Sequence, residues 1–479
     1  MSQALTIAIQ ECIYWLRTKL GFTVALLSLI LVCVAVFSSL SHQYHERHTR
    51  ETLQIKAEET FRDQPARHPH RMVHYGHYVF RTPSALAALD PGVDAFTGTV
   101  IFLEGHRQNS ATFSPSYDGA QAGPFSRLTP AFAYQLLVPL VLIIMGFSAV
   151  AREREAATDR QLITSGVSAI TIWFGKTLAL CLAAALMLLP MIIALIFIDT
   201  KLSLKVGFSS LYAVYLLTWV SMISAISTWS RSTSTSLLSL LVIWVTVCVL
   251  LPRLIASTAN TSIPTNSQIE TDMDVIVALR SVGDGHNAND PAFTKLKANL
   301  LEQYGVEKVE ELPINFRGVV AQTAEAKLTD ILNEYAEKRL ANQVAQIKAV
   351  KTFEFVSPFL ILQSASMISA GTDGRTHHRF LREAEAVRFD FVQGLNKAHE
   401  TQMAYVDDIN RSKHKDAEKR TRIDAKNWRV LNDFRFDVDP ADQRLARVST
   451  SIAALLAWLL FFVIIGFVGT RRLSRMNHG

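Results

Sequence analysis

The sequence predicts a mainly α-helical membrane protein: six transmembrane helices with two extracytoplasmic insertions, the first a small mixed α/β fold and the second built of long helices. Three observations carry this reading. Of the 479 residues, 49% are hydrophobic, too many for an ordinary soluble chain. The excess falls into six uncharged blocks, each long enough to cross about 30 Å of hydrocarbon, which takes roughly 20 residues of helix. The polar stretches between them carry strand-like or helical patterns of apolar residues instead.

Residues 1–20 place Leu5, Ile9, Ile13 and Leu16 at three- and four-residue spacing, with Tyr14 and Trp15 ahead of Arg17 and Lys19. Such a helix suits the membrane interface, with its apolar side in lipid and its cations at the headgroups. The first span is Gly21–Leu40, whose apolar run is longer than the ~7–15 residues of a secretory leader, so it reads as an uncleaved anchor. Residues 41–128 form the first outer segment, in which Thr97-Gly98-Thr99-Val100-Ile101-Phe102-Leu103 reads as a short strand. Further spans follow at Thr129–Ala151, Thr177–Ile198, Val206–Ser230 and Ser232–Pro252, with a charged inner connection at 152–176.

Residues 255–447 form the second outer segment. Val320, Leu328, Ile331, Leu332 and Tyr335 line one helix face, followed after a slip in register by Val344 and Ile347, and Phe380, Ala384, Val387, Phe391 and Leu395 form another stripe. Breaks fall at Ser357-Pro358 and at Gly371-Thr372-Asp373-Gly374. These helices either pack on one another or face a partner. Val448–Thr470 is the sixth span, and 471–479 is a short tail.

Lys and Arg in short loops set orientation. With a cytoplasmic N-terminus, the inner side holds Arg17, Lys19, Arg152, Arg154, Arg160, Lys176, Arg231, Arg471, Arg472 and Arg475, against Lys201 and Lys205 in the short outer loop. Both termini are therefore expected in the cytoplasm, although Arg47, Arg50, Arg127, Arg253, Arg444 and Arg447 stand near outer helix ends.

Several functions are excluded. Cys12, Cys33, Cys181 and Cys248 all lie in or beside apolar segments, which leaves no disulfide framework or cysteine zinc site. The net charge of +6 is scattered among acids, unlike a nucleic-acid-binding arm. Gly175-Lys176-Thr177 lacks the glycine that a phosphate loop needs at position 170, which is Ile170. His45-Glu46 and His399-Glu400 are followed at the fourth position by Thr49 and Met403, so neither begins a HExxH zinc protease motif. The chain is expected to be non-catalytic.

The segment from Arg152-Glu153-Arg154-Glu155 through Ala157-Thr158-Asp159-Arg160-Gln161-Leu162 and Gly166-Val167-Ser168 to Gly175-Lys176 is a charged turn between two spans. It resembles the coupling-helix region of ABC exporter permeases, with Ala157 where that family commonly has Gly and Val167 where a proline often precedes the Ser. The resemblance implies that Glu153, Arg154, Glu155, Asp159, Leu162 and Ser168 contact an ATP-binding subunit, which holds ATP and Mg²⁺. Pro69-His70, His74-Tyr75-Gly76, Asp90-Pro91-Gly92-Val93, Leu103-Glu104-Gly105-His106 and the distant Ala370-Gly371-Thr372-Asp373 are similar to a branch of ABC permeases with large extracytoplasmic inserts.

Eight of the 14 histidines lie in the first outer segment. His70 and His74 suit one helix face, and Glu104 and His106 one side of a strand, so His70, His74, Glu104 and His106 could hold a metal ion. Exposed or hydrogen-bonded structural histidines fit the same pattern. The expected function is the permease subunit of an ATP-driven ABC transporter in a bacterial inner membrane, exporting or extracting a substrate toward the periplasm. Its expected partners are the lipid bilayer, an ATP-binding subunit, a second permease and a periplasmic protein. The alternative is a non-transporting membrane scaffold or sensor whose outer domains bind metal or protein.

Overall fold

The computed structural model describes residues 2–112, 128–283, 285–428 and 434–476; part of the first outer segment and the last residues of the tail lie outside them. In chain order its main elements begin with α1 (Gln3–Thr18), α2 (Leu20–Arg62), α3 (Pro69–Val73), β1 (His77–Phe80) and β2 (Val100–Leu103). The membrane region continues with α4 (Pro130–Glu155), α5 (Thr158–Thr164), α6 (Ala169–Phe197), α7 (Leu202–Trp229) and α8 (Thr233–Ser262). Then come α9 (Phe316–Phe353), α10 (Pro358–Ala370), α11 (Gly374–Thr401) and α12 (Ala441–Met476). Six helices, α2, α4, α6, α7, α8 and α12, are long and apolar enough to cross a membrane. The protein is a mainly α membrane protein.

The bundle is organised around α4 and α7, in whose most apolar stretches 67% and 61% of residues are buried, against 17% in α2 and α8 and 22% in α12. Tyr134, Tyr215 and Trp219 are fully buried there, and the two tyrosine hydroxyls are used: Tyr134 Oη donates to the Met187 carbonyl at 2.9 Å and Tyr215 Oη to that of Gln135 at 2.6 Å. Thr218, Ser221 and Ser224 are also buried, and each bonds within or between helices. Prolines leave local marks on two spans. Pro139 and Pro252 cannot donate to the helix ladder, and a single π turn, Ala133–Leu137 or Thr246–Leu250, precedes each.

Two features depart from the sequence reading. The first span does not end at its apolar boundary: α2 runs on to Arg62 as one helix and reaches into the first outer segment. There the short strand covers only Val100–Leu103 and pairs antiparallel with β1, His77 opposite Leu103 and Phe80 opposite Val100. The second departure is α10. Assigned to the outer segment by sequence, it lies in the same buried apolar cluster as the membrane helices through Leu360, Ile361, Leu362, Ala365 and Ile368. At 13 residues it is too short to span. It enters at Ser357, whose Oγ donates to the Val247 carbonyl at 2.8 Å, and turns back at Gly371, which has a φ of 72°.

A second core joins α2, α3, the hairpin and α11 around Phe61, Phe380, Phe391 and Trp428. α9 and α11 pack lengthwise. Of the expected α11 stripe, Phe380, Ala384, Phe391 and Leu395 are buried; α9 buries Val320 and Leu332 but also Glu325 and Thr329.

Candidate functional site

The charged turn is tied to the rest of the molecule by residues far away in sequence. Gly175 lets α1 cross α6 closely, since a Cβ there would sit 2.7 Å from both the Ala4 carbonyl oxygen and the Ile7 Cβ. That crossing buries Glu11, whose Oε2 lies 2.6 Å from Lys176 Nζ and 2.9 Å from Arg152 Nη2. Lys176 Nζ also reaches Glu153 Oε1 at 2.7 Å, and the Arg152 guanidinium stacks 3.6 Å over the Tyr14 ring. Two carboxylates and two cations thus compensate one another at the foot of α1, α4 and α6. The Gly-Lys pair has a physical reason: the glycine admits α1 and the lysine neutralises what α1 brings.

The other residues implied by the resemblance also find partners within the chain. Arg154 Nη1 donates to the Thr228 and Ser230 carbonyls at 2.8 and 3.0 Å, a cation at the C-terminal end of α7. Glu155 Oε2 accepts from the Thr233 N–H at 2.9 Å, an anion at the start of α8. Asp159 is buried and Leu162 half-buried, while Ser168 caps α6 by accepting from the Thr171 N–H at 3.2 Å. The outward face of α5 consists instead of Arg160, Gln161, Thr164 and Ser165, all exposed. Ala157 begins α5 with a φ of 53°, a conformation in which glycine is at ease.

At the opposite end of the bundle, the motif pieces Asp90-Pro91-Gly92-Val93 and Ala370-Gly371-Thr372-Asp373 interlock. Thr372 Oγ1 donates to the Asp90 carbonyl and Val93 N–H to the Thr372 carbonyl, both at 3.0 Å. Any side chain at Gly92 would meet the Thr372 carbonyl at 2.5 Å. Arg81 lies 2.8 Å from Asp94 and also donates to the Gly371 carbonyl, while Arg447 pairs with Asp373 and Asp439. Asp90 accepts from Ser366 of α10 and from the Gly92 N–H. Burial pushes its carboxyl up to about 6, although those donors pull it down.

Among the described residues, two groups of titratable side chains converge in the segments between the spans. His70, His74 and His106 meet His286, their ligand atoms all within 4.8 Å of one another. Glu104 is not in the set: β2 ends at Leu103, His106 takes a φ of 65°, and the strand alternation that would have aligned the two residues does not operate. Glu104 Oε1 accepts from Asn109 at 3.1 Å instead. Burial, then the neighbouring imidazoles, push His70 down to about 2. The other group, His68, His399 and Asp408, is buried. The sequence reading missed Glu11, His286 and the second group, because each is completed only by contacts between distant segments.

The fold and the charged turn define a multi-pass α-helical membrane protein with two spans linked through a short charged helix. Residues 105–269 match the family model described as ABC-2 family transporter protein, and residues 266–437 match a domain of unknown function, DUF3526. Residues 105–269 therefore carry the likeness of an ABC-2 family transporter domain, which supports an ABC-type permease. No curated protein and no solved structure matches it.

Proposed function

We propose that this chain is the membrane-spanning permease subunit of an ATP-driven transporter in a bacterial-type inner membrane, with both termini cytoplasmic. A separate ATP-binding subunit holds ATP and Mg²⁺ and hydrolyses ATP, and transport runs toward the periplasm by export or extraction. The observation that carries this reading is that the ABC-2 transporter match spans α4 to α8 and so encloses the charged turn and the exposed face of α5. Docking of the ATP-binding subunit on Arg160, Gln161, Thr164 and Ser165 would move α4, α6, α7 and α8 together. Glu153, Arg154, Glu155 and Lys176 join the turn to those helices, as a lever requires.

The exposed apolar sides of α2, α8 and α12, which include Phe37, Leu238 and Phe461, support contact with lipid and with a second permease. The test is purification of the tagged chain from membranes of its source after mild crosslinking. An ATP-binding subunit is expected to co-purify, and its ATPase activity to survive reconstitution in proteoliposomes. Recovery of the chain without any such subunit would favour the scaffold reading.

A further inference from the structure

We propose that His70, His74, His106 and His286 form an extracytoplasmic binding site for a divalent first-row transition metal of the Cu²⁺ or Zn²⁺ kind. The four rings come from three places in the chain. His68 caps the start of α3, which sets His70 and His74 one turn apart; His106 follows β2; His286 belongs to the second outer segment. All six ring pairs have centroids between 4.7 and 5.9 Å apart. His70 Nε2 and His74 Nε2 are 3.2 Å apart. Nitrogens bound tetrahedrally to one zinc at about 2.0–2.1 Å stand about 3.3 Å apart, so this pair already has the edge length of such a site.

The surroundings match a ligand set better than a structural cluster. His106 Nδ1 lies 2.8 Å from Glu325 Oε2, and the buried Glu325 is held by Arg388 Nη1 at 2.6 Å. A carboxylate beside Nδ1 favours the tautomer with its proton there and leaves Nε2 with a lone pair, the usual second partner of a metal-bound histidine. That Nε2 is buried and has no hydrogen-bond partner among the described residues. His74 and His286 are exposed, so an ion can reach the site from solvent. Imidazole ligands without thiolate suit zinc, copper and nickel, and copper(II) binds such sites most tightly.

His68, His399 and Asp408 make the contrast. Asp408 already receives His68 at 3.1 Å, His399 at 2.8 Å and Arg411 at 3.0 Å, and His68 Nδ1 accepts from the His70 N–H. Those ring nitrogens are occupied by the protein itself, and the group is a structural hub. At the four-histidine site, a bound ion would staple the His286 loop to the first outer segment.

The test uses the full-length chain in detergent, stripped with chelator, titrated with Cu²⁺ and separately with Zn²⁺, desalted and assayed by elemental analysis. One equivalent per chain is expected, with nitrogen hyperfine structure in the Cu²⁺ paramagnetic resonance spectrum. His74→Ala and His286→Ala, both at exposed positions that leave the Glu325–Arg388 pair intact, are each expected to weaken binding at least ~10-fold. His45→Ala, an exposed histidine outside the cluster, should bind as the unaltered protein does. Absence of stoichiometric metal in the unaltered protein, or full retention in the His74→Ala/His286→Ala double variant, overturns the proposal.

Discussion

The two ends of the membrane bundle are built on different plans. At the end that carries α5, Glu11, Arg152, Glu153 and Lys176 compensate one another at the foot of α1, α4 and α6, and α5 is left with an uncovered polar face. At the opposite end, Arg81, Asp94, Asp373, Asp439 and Arg447 lock two loops and α12 together around α10. Under the proposed function, the first arrangement would transmit a push from a docked partner. The second joins the spans to the region around α9 and α11. Charge fixes helix ends in both places, and the first leaves the polar face of α5 uncovered.

Substitutions that unbalance each end should separate the plans. The largest effect is expected from Arg81→Ala, which leaves the buried Asp94 without its ion-pair partner and the Gly371 carbonyl without its donor. Removal of one partner of a buried pair typically costs about 3–5 kcal/mol, to be measured as a lowered melting temperature in detergent and reduced membrane levels.

Asp90→Asn should act through pH. Burial raises the Asp90 carboxyl from 3.8 to about 6, so between those values the folded protein keeps a proton that the unfolded chain has released. This group's contribution to stability therefore falls as pH rises from about 4 to about 6 and stays low above that. Relative to the unaltered protein, Asp90→Asn should gain about 2–3 kcal/mol on passing from pH 4 to pH 7, read from paired melting curves.

The end that carries α5 should be more forgiving. Glu11→Ala leaves Lys176 paired with Glu153, so about 1–2 kcal/mol is expected. The specific sign is faster tryptic cleavage at Arg17 or Lys19 as α1 detaches. The smallest change is Ala157→Gly, which relieves a left-handed backbone and should stabilise by about 0.5–1 kcal/mol, provided the melting curve is compared at fixed detergent.

The spans were legible in the sequence because hydropathy is a local property: each apolar block announces itself. The α11 stripe was legible for the same reason. What escaped depends on distance along the chain. Glu11 looks like an ordinary polar position on an interfacial helix until Lys176 arrives beside it, and Glu325 looks like solvated surface until Arg388 and His106 close over it. α10 escaped because a helix of 13 residues falls short of a span, and only packing against α7 and α12 shows where it goes. His70 and His74 could be paired from their spacing, whereas His286 is 180 residues away from His106 in sequence.

The most direct test of the docking surface is a double charge change on the outward face of α5, Arg160→Glu with Ser165→Glu. Neither side chain is buried, so insertion and melting temperature should be unchanged. Reversing the charge of this face should weaken recovery of the ATP-binding subunit about tenfold or more, with coupled ATPase activity lost in proteoliposomes. Undiminished recovery of the ATP-binding subunit together with full coupled activity would contradict docking at α5.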